Sequence, residues 1–296
     1  MPPQVRMRLD FLFLTVPSSP TYSMVRFIYD DRVVDKGLSS PRLEVIAAGL
    51  PRCATTSLQT AFESPYLDLA PTIHMAHVMP HPDLLELVIE AMQEQNRERR
   101  HQLLHRIFDG YRATSDFPGT VFVDDLMDMY PDAKVILNLR ESGESWAKSI
   151  QNSIGFFGTK TFHYITCLIR ADRVLWKLNQ VGTRVWEKRL GAREMSFYTS
   201  EFYDKHNKWV REEAAKRGKE VIEFRAEQGW TPLCKLLGKP LPPAKVPFPR
   251  LNDQRTMAIV KTIVVIRGLL AWSVLGATLY GGSLLIRRLL KKILLK

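Results

Sequence analysis

A short apolar run that leads into a row of hydroxyl residues most constrains what this chain can fold into. Residues 43–49 read Leu-Glu-Val-Ile-Ala-Ala-Gly, a composition typical of a largely buried strand. In residues 55–63, Leu58, Ala61 and Phe62 recur at helical spacing after a hydroxyl-rich start. A buried strand, a short loop and a helix in that order predict the first βα unit of a parallel sheet.

The apolar periodicity of the rest of the chain favours an α/β fold. Strands are predicted at residues 120–123, 134–139 and 220–224, and helices at 230–237 and, as a pair joined across 94–100, between 82 and 111. Strands that alternate with helices predict a parallel sheet covered on both faces. We therefore expect a three-layer P-loop nucleotide-binding fold, with a C-terminal transmembrane helix in addition.

Positive charge is concentrated at the C-terminus. The 296 residues carry a net charge of +11, and residues 251–296 alone contain eight Lys or Arg and one Asp. The first 250 residues lack the massed Lys and Arg, with interleaved aromatics, that a nucleic-acid surface needs. We expect no nucleic-acid partner.

The cysteines point to neither a disulfide framework nor a metal site. Cys53, Cys167 and Cys234 are odd in number and far apart, and no CxxC pair or histidine cluster at zinc spacing accompanies them. We therefore expect no metal.

The length fits one domain with appendages. We predict an N-terminal arm over residues 1–41, the α/β domain over 42–253 and a membrane tail over 254–296. The apolar run at residues 11–16 is short for a signal peptide and has no clear cleavage site. We expect no signal, and a cytosolic domain.

The loop between the first strand and its helix is the predicted anion site, because backbone N–H groups and the helix dipole converge there. Against the pattern GxxxxGK[ST], Gly49 and Thr56 fit, whereas Ala54 replaces the second glycine and Thr55 replaces the lysine. Ordinary magnesium-dependent nucleotide hydrolysis is thus disfavoured. Arg52 is expected to bind an anion rather than to be a solvated loop charge.

This loop resembles the 5′-phosphosulfate loop of sulfotransferases, Pro-Lys/Arg-x-Gly-Thr-Thr/Ser, and more closely the fungal branch, Gly-Leu-Pro-Arg-x-Gly-Thr-x-Ser-Leu. The resemblance covers roughly residues 43–253. It continues, in order, through His74-Met75, Asp116-Phe117-Pro118, Tyr-Pro-Asp-Ala-Lys-Val-Ile-Leu at 130–137, Tyr203-Asp204-x-His206-Asn207 and Gly-Trp-Thr-Pro-Leu-Cys-Lys at 229–235. On this set the chain is identified as a member of the fungal-type sulfotransferase-like family.

The resemblance implies a reaction and a set of site residues. The reaction moves a sulfuryl group from 3′-phosphoadenosine 5′-phosphosulfate to a hydroxyl or amine of a small-molecule acceptor, without a metal. Arg52 would stabilise the leaving phosphate, and Asp116 or His74 would be the base. Donor binding is implied for Arg52, Cys53, Ala54, Thr55, Thr56, Ser57, Arg140 and Ser149.

Two departures from the family pattern leave the activity open. Ala54 adds a methyl group where the family has glycine, which strains the loop if positive φ is needed. The family's 3′-phosphate site pairs a strand-end Arg with a Ser on the next helix, and the spacing from Arg140 to Ser149 is one residue longer. These two residues can equally be a strand-end ion pair and a surface serine. The alternatives are an inactive membrane-bound P-loop protein that at most binds nucleotide, and a P-loop kinase or NTPase.

A membrane anchor is predicted at the C-terminus. Residues 268–286 are 19 residues without a charge, close to the ~20 that span a bilayer as a helix. The basic residues that follow, Arg287, Arg288, Lys291 and Lys292, share one helical face, as at an anionic lipid surface. We expect membrane lipids as partners. A span so near the C-terminus suits a tail-anchored protein whose domain faces the cytosol, whereas the positive-inside rule favours a cytosolic tail. The orientation therefore stays open. Alternatively, the segment packs on the domain or pairs through small residues such as Ser273, Ala277 and Gly281.

Overall fold

A computed structural model describes residues 27–37, 42–191, 197–251 and 253–294. It contains a five-stranded, all-parallel sheet in the order β2-β3-β1-β4-β5. The strands are β1 (Val45–Ala47), β2 (Thr72–Ile73), β3 (Ala113–Thr114), β4 (Lys134–Asn138) and β5 (Val221–Phe224). The predicted α/β fold is confirmed. Most of the predicted N-terminal arm, residues 1–26 and 38–41, lies outside the described residues.

The strands alternate with helices as predicted. The helices are α1 (Thr55–Phe62), α2 (Met75–Val78), α3 (Pro82–Gln93), α4 (Arg97–Phe108), α5 (Val123–Met129), α6 (Gly143–Ser153), α7 (Lys160–Thr166), α8 (Arg170–Arg189), α9 (Ser200–Lys216), α10 (Thr231–Leu237) and α11 (Asp253–Leu294). Short 3₁₀ turns lie at Gly119–Val121, Gly155–Gly158 and Ala226–Gln228. The predicted helix pair breaks before Asn96, whose side chain accepts from the Arg99 amide at 2.9 Å and so caps α4.

The strand predicted at residues 120–123 is wrong. The apolar residues there form a 3₁₀ turn that runs into α5, and the strand lies earlier, at β3. A short buried apolar run has the same pattern in a strand and in a helical turn, so periodicity alone did not separate them. The first turn of α5 carries Asp124 and Asp125, which favour a helix start.

Alternate residues of the central strands supply two separate cores. Ile46 of β1 and Leu137 of β4 face the larger core, which is completed by helices that include α3, α4, α6, α8 and α9. Val45 of β1 and Ile136 of β4 face the other core, against α1 and α10. The sheet is therefore covered on both faces, which confirms the three-layer arrangement.

The C-terminal helix has two halves with different surroundings. Over its first four turns Met257, Val260 and Val264 are buried in the larger core. A Cβ atom on Gly268 would lie 2.6 Å from the Ile165 carbonyl oxygen, so α11 and α7 approach closely there. Beyond Trp272 the helix is mostly exposed. By length and composition, the helix over Gln254–Leu294 as a whole is able to span a membrane. The boundary at residue 253 stays a prediction, and the buried side chains after it pack with the domain.

One buried histidine makes the fold sensitive to acid. His206 is fully buried and its Nε2–H donates to the Ala48 carbonyl at 2.8 Å, behind the end of β1. Burial lowers its pKa from 6.5 to about 4. The folded state thus keeps this imidazole neutral, while the unfolded chain binds a proton below pH 6.5.

We expect the free energy of unfolding to fall as the pH is lowered from about 6.5 to about 4, with His206 contributing on the order of 3 kcal/mol. Urea unfolding in detergent at pH 7.5, 6 and 5 measures this dependence. His206→Gln should flatten it, whereas Gln102→Ala, on the exposed surface of α4, should not. Equal pH dependence in wild type and His206→Gln would contradict the assignment.

Candidate functional site

The loop between β1 and α1 is held at both ends by one side chain. Asn138, the last residue of β4, accepts from the Gly49 amide at 2.9 Å and donates its Nδ2 to the Cys53 carbonyl at 2.9 Å. It is 1% exposed. The sequence analysis missed this residue, although a lone amide at the end of an otherwise apolar strand was the available signal.

Gly49 is required at the start of the loop for space. A Cβ atom there would lie 2.0 Å from the Asn138 carbonyl oxygen, far inside van der Waals contact. At the first glycine of the phosphate-loop pattern, the loop backbone thus runs against the end of β4 without room for a side chain.

Ala54 occupies the conformation that glycine adopts most readily. Its φ of 57° and ψ of 28° are left-handed, and it forms the N-cap of α1 without a side-chain hydrogen bond. Arg52 also has a positive φ, 73°. The strain expected from the methyl group of Ala54 is therefore present, because an L-residue with a Cβ atom is disfavoured in this region by about 1 kcal/mol.

Ala54→Gly is expected to raise the free energy of unfolding by up to about 1 kcal/mol, because glycine adopts the left-handed conformation without strain. Nucleotide affinity should be unchanged or higher. Chemical denaturation and calorimetry of the same preparation measure the two quantities. The matched control Ala61→Gly, inside α1, should lose about 1 kcal/mol or more. A large loss of stability in Ala54→Gly would contradict the strain argument.

The two arginines of the predicted donor site meet at the loop. The Arg140 guanidinium donates from Nη1 to the Arg52 carbonyl at 3.0 Å and from Nε to the Ser145 hydroxyl at 3.0 Å. Arg52 donates from Nε to the Ser149 hydroxyl at 3.3 Å. Ser149 is therefore beside Arg52, and Ser145, one helical turn earlier, is the hydroxyl beside Arg140.

The position of Ser145 follows from where α6 begins. Ser142 caps the helix by accepting from the Ser145 amide at 3.1 Å, so Ser145 sits in the first turn, directly after the end of β4. A small cleft of about 140 Å³ lies here. It is lined by Arg52, Cys53, Ala54, Leu139, Arg140, Glu141, Ser145, Ala226 and Glu227.

The two candidate bases form one buried pair. His74 accepts the Ala76 amide at its Nδ1 (3.1 Å), so a neutral ring carries its proton on Nε2. That Nε2 lies 3.2 Å from the Asp116 carboxylate and 3.3 Å from the Thr55 hydroxyl at the start of α1. Asp116 has a φ of 74°. The arrangement places a carboxylate, oriented by a histidine, beside the loop.

The remaining predicted loop residues are almost fully buried. Thr55, Thr56 and Ser57 are each less than 5% exposed, and Ser57 accepts from the Leu251 amide at 3.1 Å. The segment after α10 therefore returns to the loop. Burial raises the pKa of the Cys53 thiol to about 12, so it stays protonated and is not a nucleophile.

A cavity of about 400 Å³ opens beside the loop and the histidine–aspartate pair. Arg52, Thr55 and Asp116 line one part of it, and most of its remaining wall is apolar or aromatic. The apolar wall includes Phe27, Leu50, Met75, Met79, Phe117, Trp146, Ile150, Ile154, Phe157, Leu175, Leu178, Trp186, Phe197, Phe202 and Met257. Trp146 and Trp186 are buried and also line this cavity.

Among the described residues, no group of three or more His, Cys, Asp or Glu side chains is arranged to hold a metal ion. The cysteines Cys53 and Cys234 are buried and unpaired, and Cys167 is half-buried.

Comparison with known proteins gives two matches. The profile of a family described as sulfotransferase domain matches residues 44–257. The chain is also similar to the Ava biosynthesis cluster protein M of Aspergillus versicolor. The two are 28% identical over 219 residues, which cover 71% of this chain and 82% of that protein.

Proposed function

Because the chain belongs to the sulfotransferase domain family, we propose that it transfers a sulfuryl group from 3′-phosphoadenosine 5′-phosphosulfate to a hydroxyl or amine of a small molecule. The observation that carries the proposal is the arrangement around one loop. Arg140 donates to the Arg52 carbonyl of the loop, the His74–Asp116 pair lies beside Thr55 at its end, and Arg52, Thr55 and Asp116 line an adjoining apolar cavity.

The donor would bind along the loop and the start of α1. The first turn of α1 offers backbone N–H groups that lack intrahelical partners, and its dipole favours negative charge. Arg52 adds a permanent positive charge where the 5′-phosphosulfate would lie. In the transfer, the S–O bond to the 5′-phosphate breaks, and charge builds up on that phosphate. Fixed N–H groups and a guanidinium stabilise such charge without reorganisation.

The acceptor would occupy the apolar cavity, with its reacting hydroxyl or amine toward Thr55 and Asp116. As the new bond to sulfur forms, the acceptor loses a proton, which Asp116 would take. His74 positions that carboxylate through its Nε2–H. The polar groups that share the cavity, among them Asn179 and Thr183, suit an acceptor that is mainly apolar with a few polar substituents.

The membrane belongs to the proposed setting. Helix α11 would anchor the domain to lipid as a single-pass span, with the domain on the cytosolic side. The full chain is then expected to resist alkaline carbonate extraction, and a chain that stays soluble without detergent would contradict the anchor. Nucleic acid has no part in the proposal.

Calorimetry of the detergent-solubilised full chain tests the donor. We expect adenosine 3′,5′-bisphosphate to bind and ATP to bind much more weakly. Preferential binding of ATP would favour a kinase or NTPase instead. Binding of neither would favour an inactive protein, an alternative to which the strained Ala54 gives some weight.

The structure allows the two phosphate positions to be separated by paired variants. Arg140→Ala should weaken binding of adenosine 3′,5′-bisphosphate by about 10- to 100-fold, the value of one charge-assisted contact. Affinity for adenosine 5′-phosphate should fall less, because this ligand has no 3′-phosphate. Some loss is still expected, since Arg140 also holds the Arg52 carbonyl. Arg52→Ala should weaken both ligands alike.

The neighbouring serines provide the control. Ser145→Ala should affect the bisphosphate more than adenosine 5′-phosphate, whereas Ser149→Ala, beside Arg52, should affect the two equally. The reverse ranking would restore Ser149 as the partner of Arg140.

A further inference from the structure

The corner between α7 and α8 exposes apolar side chains next to the membrane-spanning half of α11. Tyr164 is 66% exposed and Leu168 is 39% exposed. Ile266, Leu269 and Leu270 of α11 are also more than half exposed. Trp272 ties the two elements together, because its Nε1–H donates to the Tyr164 carbonyl at 3.0 Å. We call Tyr164, Leu168, Ile266, Leu269 and Leu270 the apolar collar.

The length of α11 beyond Trp272 determines where along the helix the bilayer must begin. Between Trp272 and Arg287 there are 14 residues, a helical rise of about 21 Å. The hydrocarbon core of a bilayer is about 30 Å thick. The missing distance corresponds to roughly six residues and reaches back to about Arg267. A full span therefore includes the part of α11 that packs against α7 at Gly268 and Ile165.

The charged residue at that depth, Arg267, is paired with a carboxylate of the domain. Arg267 donates to the carboxylate of Asp172, with Nε 3.2 Å from Oδ2, and the Asp172 side chain is 1% exposed. An unpaired arginine would be costly at this depth, whereas a paired one is tolerated. At the start of α8, Arg170 donates to the Asp83 and Glu86 carboxylates, and Arg173 donates to the Cys167 carbonyl at 2.9 Å, so these charges are also paired within the protein.

We infer that the apolar collar is seated in the bilayer, so that the domain is embedded at the α7–α8 corner rather than held above the membrane by a free stalk. The partner is a lipid surface, and this inference rests on the anchor in the proposed function. The competing arrangement leaves the collar in water. In it, the bilayer thins, or Arg287 and Arg288 reach back to the interface along their stems.

Cys167, inside the corner, is a native site for a fluorescent probe, since Cys53 and Cys234 are each 2% exposed. The full chain, labelled with bimane at Cys167, is reconstituted into phosphatidylcholine vesicles that carry a nitroxide high on the lipid acyl chain. The control places the label by Asp132→Cys in a Cys167→Ser background. Residue 132 is exposed in the turn before β4, at the amino ends of the strands, whereas the β1–α1 loop lies at their carboxyl ends.

We expect quenching at Cys167 to be several-fold stronger than at position 132. The double substitution Tyr164→Asp and Leu168→Asp, on exposed sites, should reduce the quenching at Cys167 at least twofold while the chain still resists carbonate extraction. Equal quenching at the two positions, or quenching that the aspartates do not change, would overturn the inference that the collar is embedded. It would not contradict the membrane anchor. A full chain that alkaline carbonate extracts from the membrane would contradict both the anchor and the embedded collar. Nucleotide affinity, measured separately, reports on the transfer function alone.

Discussion

Asp116→Asn is expected to lower the rate of sulfuryl transfer by about 10²- to 10⁴-fold, the usual contribution of a positioned general base. The amide has nearly the same shape as the carboxylate and accepts the His74 Nε2–H, but it cannot take the acceptor proton. Asparagine and aspartate both tolerate the positive φ found here. The backbone should therefore stay in place, and affinity for adenosine 3′,5′-bisphosphate should change little.

The transfer rate is measured with radiolabelled donor and a panel of simple phenols and aliphatic alcohols. Asp68→Asn is the matched control, because Asp68 also has a positive φ, 53°, and lies exposed on the surface. Its rate should equal that of the wild type. If Asp116→Asn kept a third or more of the wild-type rate, the base would have to be sought elsewhere.

Gly49→Ala is expected to disrupt the loop itself. Its Cβ atom would meet the Asn138 carbonyl oxygen at 2.0 Å, a backbone atom at the end of β4, where Asn138 pairs with Phe224 of β5. Overpacking of this kind costs about 3 kcal/mol of folding free energy. A displacement of about 1 Å in the loop would weaken positioning of the donor by about 100-fold.

Chemical denaturation and calorimetry with adenosine 3′,5′-bisphosphate measure both effects. Gly155→Ala is the comparison, because the nearest atom to its new Cβ atom would be 3.7 Å away. That variant should bind and unfold as the wild type does. A fully stable Gly49→Ala that binds nucleotide normally would mean that the loop has more room than its packing indicates.

The sequence predicted the fold where the local pattern matched only one structure. The apolar run at β4 and the hydroxyl-rich start of α1 each had strong signals, and both elements formed within a few residues of the expected ends. At residues 120–123 the pattern was ambiguous. Gly119 packs against Thr114 of β3 there, a contact that the apolar periodicity does not reveal.

The residue types of the candidate site could be predicted from the sequence. Which of these side chains contact each other could be seen only in the structure. Arg52, Arg140, His74 and Asp116 all lie at the loop, and their roles in binding and catalysis stay predictions. Which serine accompanies Arg140 depends on the residue at which α6 starts, and sequence spacing does not give that to the nearest turn. Asn138 escaped notice because its role depends on a neighbouring strand far away in the sequence.

In the proposed membrane setting, the attachment of the continuous α11 helix to the domain by Trp272 and the Arg267–Asp172 pair would have a kinetic consequence. A domain tethered by a flexible stalk tumbles and samples the surrounding volume, whereas one held by a docked helix keeps a constant tilt and height. An acceptor dissolved in the same leaflet would then reach the cavity by lateral diffusion in two dimensions. Transfer to such an acceptor would scale with its surface density in the leaflet and not with its bulk concentration.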